Sequence, residues 1–79
     1  MPSIFNEQGF RGMVYPNDHE PPHVHVVKNR SSIKIEVDNF EIIGIDGDIP
    51  KRQDVNKAIK LAKKYQDAII EKWQELHHD

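Results

Sequence analysis

Apolar residues change their spacing at Pro50, and that change decides the fold class. Before it they alternate. Ile33, Ile35 and Val37 fall on one side of an extended chain and Ser32, Lys34 and Glu36 on the other, the pattern of a half-buried strand. After it, Val55, Ile59, Ala62, Ile69, Trp73 and Leu76 recur at threes, fours and sevens, with Ala58, Tyr65 and Ile70 widening the stripe. That is the apolar face of a helix packed on one side. Pro50 suits a first helical turn and Asp48 a cap before it. No glycine or proline interrupts residues 51–79, so the pattern predicts one long helix over residues 51–77, with residues 53–56 the place for a short break.

The first half divides into strands at its turn residues. Residues 9–15 read as a strand weakened by Gly9 and Gly12. Residues 16–22 hold three prolines among acidic residues and read as a loop, extended at Pro21-Pro22. Residues 23–28, 32–37 and 40–45 read as three further strands. Asn29-Arg30 and Asp38-Asn39 form the tight turns between them, the second suited to positive φ. The expected fold is α+β: an antiparallel sheet of about four strands (9–15, 23–28, 32–37, 40–45) against a C-terminal helix. No repeat, linker or low-complexity tract divides residues 1–79, which read as a single domain.

Composition narrows the function classes. The 79 residues include no cysteine, which excludes disulfide staples and thiolate chemistry. A small secreted domain usually needs such staples, so a cytoplasmic location is expected. The start, Met1-Pro2-Ser3-Ile4, lacks the pattern of a signal peptide. No apolar run approaches the roughly 20 residues that cross a bilayer. The end, His77-His78-Asp79, reads as a native, frayed terminus. Net charge is −2. Residues 1–49 carry four Lys/Arg against eight carboxylates, and residues 50–79 seven against five. This is far from the basic footprint of a DNA-coating protein, although it leaves room for a local cationic site. The helix lysines read as a solvated face.

The densest reactive segment is Asp18-His19-Glu20-Pro21-Pro22-His23-Val24-His25. Residues two apart on a strand share a side, so His23 and His25 project together and Val24 and Val26 the other way. With the valines toward the helix, both imidazoles are expected to face solvent. An isolated His-x-His is more often merely solvated; the nearby Asp18, His19 and proline brace strengthen the case for a site. Two chemistries suit it. One is a divalent metal such as zinc on His23 and His25, with His19 or Asp18 as third ligand. The other is metal-free acid–base catalysis of RNA cleavage, with one imidazole accepting a proton and another donating one. The second needs a cation on the phosphate, and Lys51, Arg52 or Arg11 would supply it. Tyr15 lies near enough in sequence to support the loop, and Trp73 reads as a core anchor.

The run Met13-Val14-Tyr15, then Asp18-His19-x-Pro21-Pro22-His23-x-His25-Val26, resembles the bacterial family known as domain of unknown function 4160. Ile49-Pro50-Lys51-Arg52 and Ile69-Ile70-Glu71-Lys72-Trp73 resemble the start and finish of that family's helix. The chain departs by one extra residue around Pro16-Asn17, by another between Arg52 and Trp73, and by Leu61 and Tyr65 where relatives often carry Trp and His. A helix histidine therefore does not carry over, whereas Asp18, His19, His23 and His25 do. The resemblance implies a compact bacterial or archaeal protein, often encoded beside a second small domain in pairs proposed as toxin–antitoxin-like modules. Some members are labelled transcriptional regulators. The leading expectation is a toxin-like ribonuclease. Its rivals are a non-catalytic module that binds a partner protein encoded nearby and, ranked last, a DNA-binding regulator.

Overall fold

The computed structural model describes residues 3–77. Five strands form one antiparallel meander in the order β1-β2-β3-β4-β5, and two helices follow. The strands are β1 (Ser3–Glu7), β2 (Phe10–Met13), β3 (His23–Lys28), β4 (Ser31–Glu36) and β5 (Ile42–Gly47). The expected α+β architecture is present, with one strand more than the sequence suggested.

That extra strand corrects the reading of residues 9–15. Gln8 and Gly9 both adopt positive φ, 54° and 82°, and form the two-residue turn of a hairpin between β1 and β2. Gly9 is thus the turn and not a weak point within a strand. Phe5 lies opposite Gly12, and its ring fills the space a side chain at Gly12 would need. The Asn29-Arg30 turn joins β3 to β4 where expected, with Asn29 at φ 54°. The next turn differs. Positive φ falls on Phe40 (60°), not on Asp38 or Asn39. The Phe40 amide donates to the Glu36 carbonyl and the Glu41 amide to Asn39 Oδ1, both at 2.9 Å. Residues 40 and 41 are spent closing the turn, so the last strand starts at Ile42.

The expected single helix is divided at Tyr65, into α1 (Arg52–Lys64) and α2 (Gln66–His77). Tyr65 leaves helical geometry (φ −105°, ψ 18°). Its ring stacks on Phe5 with centroids 4.8 Å apart, and its hydroxyl donates to Glu7 at 2.6 Å. β1, absent from the sequence reading, thus supplies both partners at the break. Residues 53–56 are unbroken helix. The N-cap is Lys51 without a side-chain bond, and the Asp48 amide instead donates to the Arg30 carbonyl at 3.0 Å.

Val24 and Val26 pair with Ile35 and Ile33 and form the buried face of the sheet with Phe5 and Phe10. Ala58, Leu61 and Ala62 of α1 and Ile69 and Trp73 of α2 cover it. α1 lies on β3 and β4, and α2 crosses to β1 and β3. Among the described residues no helix is long and apolar enough to cross a membrane.

Candidate metal centre

The loop before β3 is tied at several points. The Tyr15 amide donates to Asp18 Oδ2 at 3.1 Å, and the Asp18 amide returns a bond to the Tyr15 carbonyl at 3.2 Å. This reciprocal turn fixes the Asp18 carboxylate. Further on, the Glu20–Pro21 peptide is cis, and the Pro22 carbonyl accepts from the Val37 amide at 3.1 Å. The loop is thereby fastened to the far end of β4.

Asp18 Oδ2 meets both strand histidines. His25 Nε2 donates to it at 3.0 Å, and His23 Nε2 lies 3.6 Å from it. The two rings stand 5.0 Å apart and Tyr15 packs edge-on against His25 at 4.9 Å. His23 Nδ1 donates to the Pro21 carbonyl at 2.8 Å. That bond assigns the ring proton to Nδ1 and leaves the Nε2 lone pair aimed into the cluster.

The expectation that both imidazoles face solvent is corrected here. The valines do face the core, but His23 is only 6% exposed and His25 is half-buried. The last turns of α2 reach past the start of β3. Trp73 lies 5.3 Å from the His23 ring and His77 stacks on Trp73 at 3.9 Å. His77 Nε2 donates to the Asp18 carbonyl at 2.9 Å. A frayed terminus was expected there, yet His77 closes α2 onto the loop; His78 and Asp79 lie outside the described residues. Burial holds the pKa of His25 below the ordinary imidazole value, against the opposing pull of Asp18. A neutral ring can offer Nε2 to an ion once the proton that Nε2 shares with Asp18 moves to Nδ1.

The ligand atoms of Asp18, His23 and His25 all lie within 4.8 Å of one another. Bond lengths of roughly 2.0–2.2 Å to zinc put tetrahedral ligand atoms about 3.4 Å apart. The two Asp18–His distances already match that spacing. The bond from His23 Nδ1 to a backbone carbonyl is the outer support that ligating histidines usually have.

His19 is exposed and stands outside this group. Lys51 and Arg52 are exposed at the start of α1, near the opposite end of β3. Lys51 lines a cavity of about 220 Å³ there with Lys28, Pro50 and Asp54, and Lys28 pairs with Asp54 at 3.1 Å. The length of β3 separates that end from His23, roughly 17 Å at strand rise. Arg11, exposed on β2, pairs with Val27 and not with a histidine. Lys51 and Arg52 are therefore not gathered at the imidazoles, whereas Lys34 pairs with His25 across β3 and β4.

The family model for a domain of unknown function, DUF4160, matches residues 9–74. The chain belongs to the DUF4160 family. The match takes in Asp18, His23, His25 and Trp73, and leaves β1 and His77 outside. No curated protein and no solved structure matches the chain. Beside the histidines of this DUF4160 chain, the sequence reading missed the contribution of Trp73 and His77. Their spacing of four, which sets both rings on one helix face, was the available signal.

Proposed function

We propose that this protein holds a divalent metal ion, zinc by the nature of its donors, on Asp18, His23 and His25, and uses it in hydrolysis of a phosphodiester, with RNA as the substrate class. The observation that carries the reading is convergence. Two Nε2 atoms approach one carboxylate oxygen at 3.0 and 3.6 Å, while His23 Nδ1 is already committed to a carbonyl. Metal-free acid–base cleavage asks for something else. Its two imidazoles must sit on opposite sides of the reacting phosphate, whereas these are aimed at the same point, with Lys34 paired across the strands from His25.

Two imidazoles and one carboxylate are a donor set used by catalytic zinc, which keeps a further position for water. A divalent ion there would supply Lewis acidity and a water activated near neutral pH. The chain's own residues perform the positioning. Asp18 is fixed by the Tyr15 turn, His23 by Pro21 and Trp73, and His25 by the strand and the Tyr15 ring. RNA enters from the family resemblance and its toxin-like modules, so metal binding is the first thing to test.

Metal-stripped protein titrated with zinc and with manganese in a calorimeter is expected to bind one ion per chain, and Asp18→Asn and His25→Ala to bind far more weakly. A wild-type chain that takes up neither ion would overturn the metal centre. RNA cleavage that stops with chelator and returns with metal supports the hydrolytic role. Cleavage unchanged in His23→Ala and His25→Ala excludes that role.

A further inference from the structure

The largest exposed apolar side chains sit together at one margin of the sheet. Ile42, Ile43 and Ile45 are 38%, 43% and 44% exposed, and Ile49, just beyond them, is 91% exposed. Three lie on β5, which among the described residues pairs with β4 alone and leaves its other edge open. Ile45 pairs with Ile33 and Ile42 with Ile35, so both continue the buried face of the sheet. α1 stops over β3 and β4 and α2 over β1 and β3. The opposite edge strand, β1, is covered in part by α2; among the described residues neither helix packs on β5 to a comparable extent.

An open strand edge presents unpaired amide and carbonyl groups, and natural sheets usually protect it with lysine or proline. Within residues 42–47 there is neither. The charge nearby has one sign. Residues 35–50 carry Glu36, Asp38, Glu41, Asp46 and Asp48 and no Lys or Arg. The flanking cations Arg30, Lys34 and Lys51 lie off this strand, and the Lys34 stem runs beside Gly44 on the face away from Ile42 and Ile45.

That charge pattern selects the occupant. A second copy joined through β5 would bring two acidic, cation-free strands together, and like charges across paired strands are destabilising. A strand of alternating branched apolar and basic residues would complete the ladder, cover the isoleucines and meet Glu41 and Asp46. We propose that β5 is a docking edge for an extended, basic, apolar segment of a partner protein, added as a sixth strand. This inference is independent of the metal centre.

The probe is a capped eight-residue peptide alternating valine and lysine, compared with its valine–glutamate counterpart, on the isotope-labelled full chain. Amide shifts confined to residues 41–49 are expected with the basic peptide and not with the acidic one. Asp46→Lys should weaken binding by roughly ten-fold or more, as like charge opposes like across an interface. Ile45→Thr, a milder change at a half-exposed site, should weaken it while the rest of the spectrum stays native. No binding by the basic peptide, equal binding by both, or shifts centred elsewhere would overturn the proposal. So would a dimer in sedimentation that Ile43→Lys dissociates, because a second copy would then be the occupant.

Discussion

Asp18 accepts from the Tyr15 amide and from His25 Nε2 through the same oxygen, so its loss removes a ligand and an anchor at once. Asp18→Asn should therefore cost more zinc affinity than the roughly 10–100-fold typical of losing an outer support, as competition with a chromogenic chelator would measure. Glu7 offers a test away from the site. The Tyr65 hydroxyl bond, with Lys64 beside it, holds the Glu7 carboxyl below the ordinary glutamate range. A depressed folded pKa contributes stability that is present above the unfolded value of about 4.3 and lost as pH falls through the folded value. The carboxyl carbon of Glu7 should titrate below the ordinary glutamate value, and Tyr65→Phe should move it back toward that value. At this scale the sequence was partly readable. Strand period two placed His23 and His25 on one side, and Asp18 was a named candidate. The burial of His23 was not readable, because it depends on where Trp73, fifty residues later, comes to rest.

Elements differ in how much of themselves they show in sequence. β3 and β4 were legible because a buried valine or isoleucine stands at every second position. β1 was not, since its pairing rests on the Gln8-Gly9 turn, which looked like part of a strand. The helical stripe was legible, but the break at Tyr65 was not, because both of its partners come from the unrecognised β1. α2 matters most for the site, as it carries Trp73 and His77 over the start of β3. Trp73→Ala should destabilise the protein by about 3–5 kcal/mol, the usual cost of emptying a large aromatic site, and free the His23 ring from its packing. Denaturant unfolding measures the first effect, and broadening of the His23 imidazole signals the second. Gly47 gives a contrasting test at the other end of the sheet. It adopts φ 81°, and a side chain there would run into the Arg30 carbonyl. Gly47→Ala should cost more than about 1 kcal/mol without altering metal uptake.

On the scale of the whole molecule, the cluster is where three separate parts of the chain meet. The loop brings Asp18, β3 brings the two imidazoles, and the end of α2 closes over them through Trp73 and the His77 bond to the Asp18 carbonyl. A ligand held there ties loop, strand and helix in the folded state and has no comparable site in the unfolded one. Linkage then turns binding into stability: an ion at a hundred times its Kd adds about 2.7 kcal/mol. A domain of this size gains roughly 4–8 °C in Tm per kcal/mol, so saturating zinc should raise the midpoint by about 10–20 °C. Asp18→Asn should lose most of that rise, whereas Gly47→Ala should keep it from a lower starting point. This contrast separates an ion held by the cluster from one bound loosely to surface carboxylates, since loose binding would lift the wild type and Asp18→Asn alike.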